Sequence, residues 1–321
     1  MTVPRLYLVQ IETLKISLLL VKLFYSDTFE LPLPAGHRFP MAKYTVLRNR
    51  IEETLVPGGR CELLLPPAAT DEQLLLVHTQ RYLEAIKSGE LSDVEQRRIG
   101  FPWSLKMVER SRRSTGASIA AGRSALEDGV AVNLAGGTHH SFADSGQGFC
   151  VFNDVCVAAK VLQDEGVAQR VMVVDLDVHQ GNGTASVTND DPTIYSFSMH
   201  CAKNYPFRKT EGDLDIALPP ATEDDYYLEQ MRLGLKRAVG EFEPDCVFYL
   251  AGADPFVKDR LGLLSLTKAG LRARDEGVLS FFGERDVPVA IAMAGGYADQ
   301  IEDIVDVHFG TVQAALQRCG G

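Results

Sequence analysis

The sequence predicts an α/β fold in which one parallel β-sheet is flanked by helices on both faces. Short apolar runs typical of buried strands alternate with longer segments of helical periodicity. Several of these runs end in small residues followed by polar ones, as at residues 136–140 and 251–254. The 321 residues show no internal repeat and no low-complexity linker, so we expect a single domain.

The first half of the chain predicts two strands and three helices. The strands are residues 23–25 and 131–134, and the helices are residues 41–55, 104–126 and about 149–163. Thr70 begins a further helix, and residues 31–40 form a proline-rich loop. Residues 1–22 resemble none of these elements, so we expect an N-terminal extension of unclear structure before a domain of residues 23–321.

The second half predicts four strands separated by helices. The strands are residues 171–179, 193–200, 246–250 and 287–293, and the helices are residues 228–242, 268–285 and 301–317. In open parallel sheets, ligands bind outside the carboxyl ends of the strands. Because polar groups follow several of these strands, we expect them to converge on one edge of the sheet.

The segment VMVVDLDVHQGNG at residues 171–183 organises the prediction. Strand alternation places Asp175, Asp177 and His179 on one face, at the end of an otherwise apolar strand. Two buried carboxylates and an imidazole are costly without a compensating charge. A divalent metal would supply that charge, and Asp and His are ordinary zinc ligands. The alternative is a strand that ends in a solvated acidic turn.

Composition limits the classes of partner. The net charge is −11, from 32 basic and 43 acidic residues, and no basic block predicts nucleic-acid binding. An acidic protein weakly favours a cationic substrate such as a lysine side chain or a polyamine. The apolar run at residues 16–21 is too short to span a bilayer, and no signal peptide is expected. Six cysteines without a CxxC pair favour a reducing, cytoplasmic location.

Asp254 follows the strand at residues 246–250 and completes a three-ligand set with Asp177 and His179. A catalytic zinc keeps a fourth position for water or substrate, lowers the pKa of that water to roughly 7 and polarises a carbonyl. Asp254 alone is equally typical of a helix cap.

Two further groups have suitable chemistry for hydrolysis. The tandem His139 and His140 would provide a general base and a general acid. Tyr297 follows two glycines, and its hydroxyl would donate to a developing oxyanion. Taken singly, the histidine pair could be structural, and Tyr297 could be an ordinary aromatic at a helix start.

Together these residues resemble a known family. The motifs GGTHH, GFCVFND, DLDVHQGNG, AGAD and AGGY occur in this order and are similar to those of the zinc-dependent histone deacetylases, which have the arginase–deacetylase fold. GHRFPMAKY at residues 36–44 and IGFPWS at residues 99–104 most resemble the class IV branch and its bacterial relatives. The resemblance extends from about Leu23 to the C-terminus.

The resemblance implies a role for each matching residue. One zinc would be bound by Asp177, His179 and Asp254. The catalytic residues would be His139, His140, Asp175 as the partner of His139, Asn182 and Tyr297. The substrate would contact Gly148 and Phe149 in the tunnel wall, Leu261 at the rim and Arg38 below the metal near the acetate exit. A potassium ion would be bound by Asp175, Asp177, Ser198 and the carbonyl of His179.

Asn182 departs from the class I pattern, which has Asp behind the second histidine. An Asn carbonyl still accepts a hydrogen bond from imidazole but adds no negative charge. We therefore expect His140 to stay neutral and act as the base.

The implied substrates are an acyl-lysine protein or peptide, or a small acylated amine such as an acetylpolyamine. No direct nucleic-acid or membrane partner is expected, and the oligomeric state stays open. One alternative is a ureohydrolase of the same fold with two manganese ions. The lack of a second Asp two residues after Asp254 argues against it. The other is a binding module without catalysis.

Overall fold

The computed structural model describes residues 20–29 and 31–318. Within these residues, eight parallel strands form one sheet in the order β2-β1-β3-β8-β7-β4-β5-β6. The strands are β1 (Val21–Phe24), β2 (Cys61–Leu64), β3 (Val130–Asn133), β4 (Val171–Asp175), β5 (Ile194–Cys201), β6 (Leu214–Leu218), β7 (Cys246–Leu250) and β8 (Val289–Ala292).

The helices that the structure describes connect these strands and cover the sheet. They are α1 (Ala42–Thr54), α2 (Asp71–Leu75), α3 (Gln80–Ser88), α4 (Asp93–Ile99), α5 (Leu105–Asp128), α6 (Asp154–Asp164), α7 (Asn182–Thr188), α8 (Asp224–Glu241), α9 (Lys268–Gly283) and α10 (Ile301–Arg318). Local capping determines several starts: the hydroxyls of Thr70 and Thr267 accept from the backbone N–H groups of Gln73 and Gly270. Both starts were predicted.

The sheet separates two apolar layers. On β4, Met172 and Val174 pack in a cluster with residues of α1, α8, α9 and α10, whereas Val171 and Val173 pack in a second cluster with α5 and α6. Burial of both faces is the usual environment of a parallel sheet. The predicted fold class, a parallel sheet with helices on both faces, is confirmed.

The central strand is shorter than predicted. We expected strand structure through His179, but β4 ends at Asp175. The backbone N–H groups of Asp177, Val178 and His179 donate to the carboxylates of Asp175, Asp254 and Asp177, so they do not pair with a neighbouring strand. The side chains still alternate, because Leu176 and Val178 remain in the apolar core.

Three other expectations concern the ends of the chain and its location. The proposed extension, residues 1–22, lies largely outside the described residues, and β1 begins at Val21. Five cysteines are buried free thiols, as expected, and Cys319 lies outside the described residues. Across the described part of the chain, no helix is both long enough and apolar enough to cross a bilayer.

Candidate active site

Asp177, His179 and Asp254 converge at the carboxyl ends of the adjacent strands β4 and β7. Nδ1 of His179 lies 3.0 Å from Oδ1 of Asp177 and 3.1 Å from Oδ2 of Asp254. One ligand atom from each residue lies within 4.8 Å of the others, and all three side chains are buried. The alternative of a solvated acidic turn is therefore wrong.

The chemistry of this donor set fits a divalent cation. Burial, reinforced by the charge of Asp177, raises the pKa of Asp254 to about 7. The buried carboxylates of Asp177 and Asp254 therefore repel each other when no cation is bound between them. Gly295 donates its N–H to Oδ2 of Asp177 at 2.8 Å. A β-carbon at Gly295 would collide with the carboxylates of Asp177 and Asp254, so only glycine allows this close approach.

The two tandem histidines have different hydrogen-bond partners. Nδ1 of His139 lies 2.6 Å from Oδ2 of Asp175, and Nδ1 of His140 lies 2.7 Å from Oδ1 of Asn182. Their ring centroids are 4.1 Å apart, and both side chains are buried. The loop before them is held by Asp154 at the start of α6, whose carboxylate accepts from the backbone N–H groups of residues 137 and 138.

The surroundings of the two histidines give them opposite protonation preferences. Burial opposes the charged form of His139, but Asp175 and Asp177 outweigh it and raise the pKa of His139 to about 9. Burial also lowers the pKa of His140 well below its usual value, and the neighbouring His139 adds to this effect. A neutral His140 beside a cationic His139 is the arrangement of a base paired with an acid.

Tyr297 follows β8 and faces the same site. Its ring lies 6.4 Å from that of His179 and 6.1 Å from that of Phe149. Burial raises the pKa of the phenol well above its usual value, so the hydroxyl keeps its proton. Within the described residues this hydroxyl has no hydrogen-bond partner, and it is free to donate to a ligand. The backbone N–H of Tyr297 donates to Asp259 at 2.6 Å.

A cavity of about 510 Å³ opens over these groups. Its lining includes His139, His140, Asp177, His179 and Tyr297, together with Gly148, Phe149 and Leu261. Gly148 has a positive φ of 58°, and a β-carbon there would lie 2.6 Å from Cδ2 of His140. The wall can approach the histidine only because this residue is glycine.

Arg38 is exposed and lines the cavity, whereas the resemblance implied a position below the metal, near the acetate exit. Its loop precedes α1 at the surface, whereas Lys43 in the first turn of α1 is a buried cation. Nζ of Lys43 lies 3.4 Å from the carbonyl oxygen of Ala294 and 3.3 Å from that of Gly296.

Sequence reasoning missed three residues that shape the site. Lys43 shares a helical stripe with Leu47 and Ile51, and a charge on that apolar stripe was the available signal. Asp259 links the Tyr297 turn to the rim, because it also accepts from the N–H of Leu261 at 2.8 Å. The ring of Tyr205 packs edge-on against that of His140, with the ring centroids 5.0 Å apart, and no local sequence pattern indicated this contact.

His37 and His78 have structural roles. Nε2 of His37 lies 2.9 Å from the carbonyl oxygen of Gly100, and its Nδ1 accepts from the N–H of Phe39. His78 is buried, and its Nε2 accepts from the N–H of Asn153 at 3.0 Å.

Comparisons with known proteins identify the family of this chain. The sequence model of the histone deacetylase domain matches residues 37–312. An uncharacterized protein of Picosynechococcus is 44% identical over 88% of this chain and 94% of its own length. Histone deacetylase 2 of Arabidopsis thaliana is 32% identical over 88% of this chain and 78% of its own length. The acetoin utilization protein AcuC of Bacillus subtilis is 32% identical over 64% of this chain and 59% of its own length.

Among solved structures, the HD domain of HDA15 superposes with a TM-score of 0.74 at 22% identity and covers 93% of both chains. This likeness supports the fold, the arginase–deacetylase arrangement of a parallel sheet between helices. The domain match and the curated relatives carry the assignment further: this chain belongs to the histone deacetylase family of hydrolases.

Proposed function

We propose that the protein hydrolyses N-acyl amides of the acyl-lysine type with one zinc ion bound by Asp177, His179 and Asp254. One observation carries the proposal: these three ligand atoms lie within 4.8 Å of one another and line the same cavity as the histidine pair and Tyr297. Zinc held by three protein ligands would keep a position for water, lower the pKa of that water to about 7 and polarise the acyl carbonyl.

The side chains of this chain supply the proton transfers. His140 is neutral and takes the proton of the attacking water, while Asn182 holds its ring through Nδ1. The Tyr297 hydroxyl donates to the carbonyl oxygen as negative charge develops on it. His139, held as a cation by Asp175, donates a proton to the amine as the C–N bond breaks. Gly148 and Phe149 line the path of the aliphatic stem.

The proposal has finer parts that rest on the same residues. Potassium would be held by Asp175, Asp177, Ser198 and the carbonyl of His179, and the register that pairs Asp175 with Ser198 supports this. The motifs at residues 36–44 and 99–104 support membership of class IV, and the free thiols support a cytoplasmic location. Residues 23–321 would form the catalytic domain.

A substrate panel tests the activity. The zinc-loaded protein is incubated with acyl-lysine peptides of increasing acyl length, with acetylated polyamines and with arginine, with and without a hydroxamate. We expect amide hydrolysis that the hydroxamate inhibits. Urea release together with two metal ions per chain would instead establish the ureohydrolase alternative. Against that alternative, the described residues contain a single candidate metal cluster. If none of these substrates is hydrolysed, the remaining alternative is a binding module without catalysis.

A further inference from the structure

The mouth of the cavity is basic although the protein is acidic. Four cationic side chains line it, Arg38, Arg97, Arg98 and Lys203. The one carboxylate in the lining is Asp177, which is buried among the metal ligands. The whole chain has a net charge of −11, so these cations run against the average charge of the protein.

These four charges are available to a ligand. All four residues are exposed, and within residues 20–29 and 31–318 none of their side chains forms an ion pair or a hydrogen bond. Some other exposed cations of the chain are paired: Arg81, for example, lies 3.0 Å from Glu95, and Arg237 lies 2.8 Å from Glu241.

Helix electrostatics explain only part of the arrangement. Arg97 and Arg98 lie in the last turn of α4, where cations are generally favourable. Arg38 precedes α1 and Lys203 follows β5, so neither is in a last helical turn. Three separate segments of the chain therefore bring positive charge to one opening. The backbone carbonyl of Arg98 also accepts from the N–H of Gly148, which fixes that arginine's backbone beside the tunnel wall.

Apolar surface lies beside these charges. Phe207 is 91% exposed and Leu263 is 47% exposed, and both line the same cavity. A substrate that ends inside the tunnel would leave them in water, whereas a peptide that continues across the mouth would cover them. The mouth thus combines cations with exposed apolar side chains.

From this arrangement we propose that the enzyme selects an acyl-lysine whose neighbours in a polypeptide carry carboxylates. The proposal rests on the proposed function. Acidic side chains on either side of the acyl-lysine would reach Arg38, Arg97, Arg98 and Lys203 while the acyl group enters the tunnel. An acetylpolyamine brings further positive charge to the same opening and is disfavoured. The weak expectation of a cationic substrate, drawn from net charge, is replaced by this local charge.

Peptides of equal length test this selectivity. They carry one acetyl-lysine flanked by acidic, neutral or basic residues, and an acetylpolyamine is compared with them on the zinc-loaded protein. We expect kcat/KM to fall from acidic to neutral to basic flanks by about threefold per charge, since exposed ion pairs contribute on that scale. The differences should lie in KM and should shrink between about 50 mM and about 500 mM salt, because the charges are screened.

Matched variants locate the effect. The double variant Arg97→Gln/Arg98→Gln should lose most of the preference for acidic flanks, measured as the ratio of kcat/KM between the acidic and the neutral peptide. The control Arg232→Gln/Lys236→Gln removes the same charge from an exposed face of α8 and should keep the preference. Lys203→Gln and Arg38→Gln should each give a smaller loss.

The outcomes separate the two proposals. Equal cleavage of all peptides, a preference for basic flanks, or faster cleavage of the acetylpolyamine would overturn the selectivity and leave the amide hydrolase standing. A preference that the α8 control reduces equally would assign it to net charge and also overturn the role of the mouth. An absence of any hydrolysis would remove the proposed function itself.

Discussion

Nζ of Lys43 lies 5.5 Å from the centroid of the Tyr297 ring, in the first turn of a helix that is far from Tyr297 in sequence. The same nitrogen faces the carbonyl oxygens of Ala294 and Gly296, which bracket the turn that presents the phenol. Lys43 is 2% exposed, and its ammonium also lies 5.1 Å from the ring centroid of Tyr44 and 5.6 Å from that of Phe39. It is placed to hold the tyrosine in position.

Replacing Lys43 by Met should separate positioning from folding. Met has a similar length and removes a buried cation, so the thermal stability should be retained or increased. The turn loses its anchor, and kcat should fall by tenfold to about a hundredfold with little change in KM. Steady-state kinetics and a melting curve on the same preparation measure both effects. An unchanged kcat would show that the turn is rigid without the lysine.

Replacing Tyr297 by Phe should reduce kcat by about 10² to 10³, the usual cost of losing one oxyanion donor. The hydroxyl has no partner among the described residues, so the melting temperature should not fall. Metal content, measured by atomic emission, should stay at one ion per chain. Retained turnover with intact metal content would contradict the assigned role of the phenol.

The partner of His140 should set the acidic limb of the pH–rate profile. Burial lowers the pKa of His140, and the base works only when it is deprotonated, so activity rises as pH passes through that pKa. Asn182→Asp adds a negative charge next to Nδ1, raises the pKa of His140 and should move the limb to higher pH. A profile of kcat/KM against pH measures this. A limb that stays in place would argue that another group is the base.

Metal binding should stabilise the protein more at alkaline pH. In the metal-free protein, burial opposes the cationic form of His179, but Asp177 and Asp254 outweigh it and raise its pKa to about 10. Burial and Asp177 raise the pKa of Asp254 to about 7. Both groups lose their protons to bind a metal, so affinity should rise with pH.

The raised pKa of Asp254 also makes the stabilisation by a bound metal larger at alkaline pH. An unfolded Asp titrates near 4, so between about pH 4 and pH 7 the folded metal-free state binds more protons and loses stability as pH rises. The increase in melting temperature on adding zinc should therefore be larger at about pH 8 than at about pH 5.5. Equal increases at both pH values would contradict the proposed ligand set.

Gly148→Ala tests the tunnel wall. The alanine adopts a left-handed conformation at a cost of about 1–2 kcal/mol, and its β-carbon presses on His140. We expect a loss of at least about tenfold in kcat. Gly59→Ala is the matched control, because Gly59 has a φ of 68° and no atom within 4 Å of an added β-carbon. Equal losses in the two variants would assign the effect to backbone strain alone.

The sequence predicted best what is encoded locally. The strand at residues 246–250 was predicted with its observed ends, since an apolar run bounded by Asp245 and Ala251-Gly252 is a local signal. The convergence of Asp177, His179 and Asp254 could be predicted because parallel strands bring their carboxyl ends to one edge. The two edge strands β2 and β6 were missed, because they are short and partly exposed and lack a fully apolar pattern.

What could not be predicted depends on contacts between distant segments. Lys43 contacts the carbonyl oxygen of Gly296, which lies more than half the chain away in sequence, and no local pattern in α1 predicts this partner. The basic mouth was missed because net charge averages over the whole surface, whereas the four cations come from three segments that only the fold brings together. The early end of β4 was missed because the backbone N–H groups of residues 177–179 donate to side-chain carboxylates and not to a neighbouring strand.

The adjacent strands β4, β7 and β8 each deliver part of the reactive chemistry, whereas the cations of the mouth lie before α1, at the end of α4 and after β5. If both proposals hold, reactivity and substrate choice are encoded in different stretches of the gene. Exchanging Arg97 and Arg98 between relatives should therefore change the proposed preference while Tyr205 keeps its place against His140, and divergence within such a lineage should concentrate in those surface positions.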